Sequence, residues 1–188
     1  MKRIALLILL LLLLFCLTGC KNEEPNNSNS PEKASDSVSA IKETKLDLTL
    51  FKTVGNIVTF GSYEQDNNPD NGSEPIEWIV LDVQDGKVLL LSRYILDQKP
   101  YNNKSAQQNS WKNSTLRKWL NNDFLNAAFN EAEKQAILTT SVDDGTGQDG
   151  ASGKNTDDQV FLLSLNEAET YFSDDESRKC ASTGFAIA

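Results

Sequence analysis

Asp66, Asn68, Asp70 and Glu77 stand at positions one, three, five and twelve of a short polar segment. That alternation is the one by which a calcium loop wraps a hard cation in oxygen ligands. In detail the match is loose: Asn71 stands where such a loop turns on glycine, Pro69 and Pro75 interrupt it, and its flanks read as strands, not helices. A turn-rich connection accounts for the same residues, so these four are a calcium candidate on spacing alone, and no other cofactor is expected. Downstream, Gly153-Lys154 invites a phosphate-loop reading that fails, because Gln148 stands where glycine is needed and Asn155 where Ser or Thr is needed. The stretch Asp143 to Asp158 therefore reads as a Gly- and Asp-rich surface loop whose carboxylates are at most a weak calcium binder. The chain contains no histidine, which removes the commonest general base. Cys180 has only Arg178 and Lys179 beside it to favour a thiolate. No catalytic set emerges, and the protein is not expected to be an enzyme. Among the aromatics, Trp78 and Trp119 read as core. Tyr101 and Trp111 lie in a polar stretch and are the candidates for ligand contact.

The address is written at the other end. Lys2 and Arg3 precede an apolar run over residues 4–15, followed by Leu17-Thr18-Gly19-Cys20. Charge, a short apolar core and small residues in that order form a secretory leader, and the run is shorter than the roughly 20 apolar residues of a spanning helix. The Leu-x-Gly-Cys ending resembles the lipobox of bacterial lipoproteins. The resemblance implies a diacylglycerol on Cys20, removal of residues 1–19 as signal peptide, and attachment to the outer face of the cell membrane through that lipid. Residues 20–45, rich in Asn, Ser, Glu, Lys and Pro and free of aromatics, read as a flexible polar tether. Residues 46–188 are of a length for one domain.

Eighteen basic residues face 27 acidic ones, a net charge of −9. Loss of Lys2 and Arg3 with the leader leaves 16 against 27, or −11. A chain so acidic, with no basic cluster, is not expected to bind nucleic acid or anionic headgroups, which leaves the lipid on Cys20 as the membrane contact. Cys16 leaves with the leader and Cys20 carries lipid, so Cys180 has no internal disulfide partner.

The elements that must position any site are strands first. Asn56 to Tyr63, Ile76 to Val83 and Lys87 to Tyr94 read as strands, the last two joined by Asp85-Gly86, the residues of a tight hairpin turn. Trp78 and Val80 share one face of the second strand, and Ile79, Leu81 and Val83 the other, so both faces are expected to be covered. Ser114 precedes a helical pattern over 115–129. Asn130, Ser164 and Ser173 each stand three residues before an acid, the pattern of a capped helix start. Gln159 to Ser164 reads as a strand. Strands, then helices, then a strand and short helices imply α+β.

From Gly55 to about Ala181 the chain resembles an uncharacterised family of domains of unknown function in bacterial surface and secreted proteins. Phe60-Gly61-Ser62-Tyr63, Glu74-Pro75-Ile76-Glu77-Trp78, Leu90-Leu91-Ser92 and Pro100-Tyr101-Asn102 carry the resemblance, with Ser114-Thr115-Leu116-Arg117-Lys118-Trp119-Leu120-Asn121 as its most specific block. It implies a C-type-lectin-like fold, distantly similar to formylglycine-generating enzymes. Family members continue past the equivalent of Ala181 into a Trp- and Arg-rich segment that completes the sheet, whereas this chain closes on Phe185-Ala186-Ile187-Ala188. The resemblance leaves three readings: a lectin-like module for an unknown extracellular ligand, an oxidase of the formylglycine-generating type, and a truncated remnant with an unfinished sheet. The second is weakened because Cys180 alone does not supply the paired cysteines that bind copper in those enzymes.

Overall fold

The structure is a computed structural model that describes residues 4–9, 49–103, 110–143 and 155–188. Cys20, the tether and most of the Gly- and Asp-rich loop lie outside the described residues. Seven strands are described: β1 (Ile4–Leu9), β2 (Ile57–Tyr63), β3 (Glu74–Gln84), β4 (Lys87–Ser92), β5 (Thr140–Val142), β6 (Thr156–Asp158) and β7 (Val160–Leu162). Five form one sheet in the order β2-β3-β4-β1-β7, with every pairing antiparallel, and β5 and β6 form a separate antiparallel pair. Antiparallel strands with short helices make the domain α+β, as the element order implies.

The β3–β4 hairpin forms for the reason its sequence gives. Asp85 and Gly86 adopt φ of 51° and 72°, the two left-handed residues of a turn whose twist matches that of the strands it joins. Alternation then sorts the side chains. Ile76, Trp78 and Val80 point into the core and are fully buried, while Ile79 and Val83 on the opposite face are only half-buried. Coverage of the second face is thus partial, and a register shift between Val80 and Asp82 interrupts the alternation beside Leu81.

Against the core face lies a bent helical layer. It comprises α1 (Thr115–Trp119), a π-helical turn (Leu120–Phe124), α2 (Leu125–Ala128) and, after a break, α3 (Glu131–Ala136). Ser114 caps α1 by accepting the Arg117 amide at 3.0 Å, satisfying one of the orphan donors of a helix start. The π turn widens the spiral, and Leu120, Phe124, Leu125 and Ala128 are all buried. Asn130 opens α3 and Ser164 opens α4 (Leu165–Tyr171) with the reciprocal capping boxes their sequences announce.

A second register shift, in β2 between Thr59 and Ser62, locks sheet to helices. At this bulge the Phe60 carbonyl accepts the Trp78 indole N–H at 2.7 Å, and the Gly61 amide donates to Glu133 at 3.2 Å. The other oxygen of Glu133 accepts the Asn130 amide, so a single carboxylate ties the α3 cap to the bulge. Gly61 has φ of 70°, and a Cβ there would stand 2.5 Å from the Phe129 ring and 2.6 Å from the Ala128 carbonyl oxygen. Gly61→Ala is therefore expected to cost about 2–4 kcal/mol, from backbone strain and overpacking together, read as a lower urea midpoint with an unchanged slope.

Two local expectations are corrected. Ser173 does not open a helix. Residues 173–178 are bends and turns, with Asp174 accepting the Ser177 amide at 2.8 Å. The chain then becomes extended, so that the Ile95 amide donates to Ala181 O and the Thr183 amide to Ile95 O, both at 3.0 Å. Residues 184–187 form a helical turn, α5 (Gly184–Ile187), capped by Thr183. The end of the supposed surface loop is β6, with Thr156 and Asp158 buried. The apolar start also has a place in the fold: Ile4–Leu9, within the run read as the core of a leader, pairs with β4 and β7 inside the sheet. An apolar run of this length fits a buried strand as well as a leader by periodicity alone.

Candidate functional site

The most specific sequence block encodes a brace. The side chain of Asp158 is fully buried, and three donors converge on it: Arg117 Nε at 2.7 Å, Trp111 Nε1 at 2.8 Å and Thr156 Oγ1 at 2.6 Å. A buried carboxylate is tolerated when its charge is paired and its lone pairs are filled. The remaining Arg117 donors go to the main-chain oxygens of Lys112 and Asp157. One turn on, Asn121 accepts the amides of Gln159 and Val160 and donates to Val160 O. Arg117 and Asn121 thereby suspend β6 and β7 from the helical layer. Trp111 belongs to this brace. It is buried, with its indole N–H held by Asp158, so its ring is not on the surface where a ligand would meet it. Its polar neighbours in sequence gave no hint of Asp158, 47 residues away.

Above the brace lies a groove of about 540 Å³, floored by Arg117 and Asp158 and rimmed by Asn103, Thr115, Lys118, Asn122 and Asp157, with Trp119 beside them. Tyr101 adjoins it through the main chain, its carbonyl accepting the Leu116 amide at 3.2 Å and the Thr115 hydroxyl at 3.3 Å. Lys99 places its ammonium 5.3 Å from the centre of the Trp119 ring, a cation–π distance.

A second hollow of about 670 Å³ is lined by Asn67, the segment Asp97 to Pro100, and Phe185 to Ala188. Beside it, the Tyr63 hydroxyl donates to Asp97 at 2.8 Å, and Lys99 pairs with Asp97 at 3.3 Å. Burial, then the hydrogen bond and charge of Asp97, push the Tyr63 phenol far above its ordinary range. Burial first, then Asp82 and Glu167, raise Tyr171 as well. A raised folded-state value means that the folded chain holds the proton more tightly. The stability this represents is present below about pH 10 and is lost as pH rises beyond it toward the folded values. Phenolate absorbance in an alkaline titration is thus expected to show Tyr63 ionising only together with unfolding, and Tyr63→Phe is expected to flatten the alkaline loss of stability.

The calcium set does not assemble as its spacing suggests. Glu77 lies on β3 and pairs with Arg93 at 2.7 Å. Asn68 Oδ1 accepts the Asp70 amide, and Asp66 accepts the Asn68 amide and the Asn71 side chain, the bonds of a self-supporting turn. The carboxylates that do approach one another are Glu64, Asp66 and Glu74, each with an oxygen within 4.8 Å of the others. Glu74 and Glu64 also accept the amides of Gln65 and Asn68. Cys180 is half-buried and is the free cysteine among the described residues.

The C-terminal part of the chain falls in a recognised group. Residues 85–186, more than half the chain, match a domain of unknown function, DUF6273, and the chain belongs to that family. The match takes in the hairpin turn, the Asp158 brace and the α4 segment. No curated protein and no solved structure matches the chain.

Proposed function

We propose that the protein is a lipid-anchored module, held on the outer face of the cell membrane through Cys20, that binds an extracellular ligand. The observation that carries this reading is the order of segments: charged start, apolar run, Leu17-Thr18-Gly19-Cys20, polar tether, then one domain. Among the described residues, no helix is long and apolar enough to cross a membrane, and the lipid supplies the anchor in this account. Two acyl chains on one residue hold firmly, because each buried methylene contributes about 0.8 kcal/mol.

The ligand face in this reading is the groove over the Asp158 brace. Its floor is fixed by internal hydrogen bonds, while its rim carries amide, hydroxyl, ammonium and carboxylate groups next to an aromatic ring. That chemistry suits a polyol such as a glycan, whose hydroxyls both donate and accept and whose ring faces are apolar. A C-type-lectin-like architecture is the finer fold in this proposal, supported by the antiparallel sheet, the flanking short helices and the long irregular connections. Binding of the purified lipoprotein to a glycan array tests the reading. Saturable binding to a defined glycan, weakened by Asn122→Ala or Lys118→Ala with the unfolding midpoint unchanged, is expected. Absence of binding, or binding indifferent to both substitutions, would remove the groove as the ligand face.

A further inference from the structure

The strand that the leader occupies is interior to the sheet, so removal of the leader takes a strand out from between two others. β1 lies between β4 and β7, with Ala5 opposite Leu91 and Leu9 opposite Lys87 on one side, and Ile4 opposite Leu162 and Leu6 opposite Val160 on the other. Both neighbours run antiparallel to it and hence parallel to each other, about two strand spacings or ~9.5 Å apart. Their residues are those of a central strand, with Val88 to Leu91 and Val160 to Leu162 all buried.

Neither wall depends on β1 alone. β4 is held by its ladder to β3. β7 hangs from Asn121 by three hydrogen bonds of 2.8–3.1 Å, and the residue before Gln159 is the braced Asp158. Direct closure of β7 onto β4 would have to break these bonds. Nor does the processed chain hold a ready replacement in its tether, since residues 20–48 contain no run of six apolar residues.

Resting on the lipoprotein reading above, we infer that processing opens a preformed, strand-wide slot between β4 and β7, which accepts an extended apolar segment of about six residues from a partner polypeptide. The segment enters antiparallel to both walls. Main-chain hydrogen bonds supply affinity, and apolar side chains on both faces supply selectivity, which is the mode of β-strand addition. A preformed slot lowers the ordering cost of binding, whereas a slot left open presents two unpaired strand edges.

The test uses the lipoprotein purified from membranes after expression of the full chain, with its N-terminus established by intact mass. The probes are a fluorescent Lys-Lys-Ile-Ala-Leu-Leu-Ile-Leu-Lys-Lys peptide and a version with proline at its centre, which lacks a backbone donor. Saturable binding of the first is expected, about tenfold or more tighter than the second, with new hydrogen-exchange protection at those amides of β4 and β7 that face the slot rather than β3 or Asn121. Equal uptake of both peptides overturns the inference, as does protection of those amides without peptide, through direct β4–β7 pairing or a second copy of the chain. A protein that begins at lipidated Cys20 yet binds neither peptide sinks the slot alone. One that still begins at Met1 sinks the lipoprotein reading, and the slot falls with it.

Discussion

Asp158→Ala is expected to destabilise the domain by about 3–5 kcal/mol, a large fraction of the roughly 5–15 kcal/mol that holds an ordinary domain folded. The carboxylate has no solvent exposure and satisfies Arg117, Trp111 and Thr156 at once. Its removal leaves the Arg117 cation, itself mostly covered, without a counter-charge, and leaves the Trp111 N–H and the Thr156 hydroxyl without their acceptor. Breaking one side of a buried pair costs more than the pair contributes net, because the survivor stays desolvated. Arg117→Met gives the complement: the apolar stem is kept and the cation is lost. In a double-mutant cycle, the two substitutions together are expected to cost clearly less than the sum of the singles. Urea unfolding of the three variants checks this. A loss below about 1 kcal/mol for Asp158→Ala would mean that the brace behaves as a surface ion pair.

The second large effect is expected at Trp78. It is fully buried, its indole donates to Phe60 O at 2.7 Å, and its ring lies 6.3 Å from that of Phe129. Trp78→Ala is expected to cost about 3–5 kcal/mol through lost burial and an unfilled cavity. Trp78→Phe keeps most of the apolar volume but withdraws the donor from Phe60 O, for about 1–3 kcal/mol. The ordering of the two variants in thermal unfolding separates packing from hydrogen bonding at the β2 bulge. Equal midpoints would show that the hydrogen bond dominates.

Local chemistry was legible in the sequence wherever it was self-contained. Asp85-Gly86 specified its turn, and Asn130 and Ser164 specified their capping boxes, whereas alternation placed Trp78 and Val80 together but left both faces of β3 apolar, so it did not say which one the core covers more fully. The features that escaped depend on partners far along the chain. Trp111 sits among polar residues, and only the return of β6 supplies the carboxylate that buries it. Glu77 fits a cation loop by number, but strand alternation carries it to Arg93, while Glu74 turns toward Glu64 and Asp66. The Ser173 segment has the residues of a capped helix, yet the pairing of Ile95 with the chain around Ser182 draws residues 181–183 into an extended path. Ile4–Leu9 is the deepest ambiguity, since uninterrupted apolar character serves both a leader and an interior strand.

That ambiguity makes the N-terminus the most direct point of attack. The decisive measurement is the intact mass of the chain extracted from bacterial membranes, for the native sequence and for Cys20→Ala. A lipid-anchored module predicts a native protein that begins at Cys20 and carries a diacylglycerol, and a variant that keeps residues 1–19 and carries none. A native protein that retains residues 1–19 without lipid would contradict the account, and would leave Ile4–Leu9 as a permanent strand of the sheet.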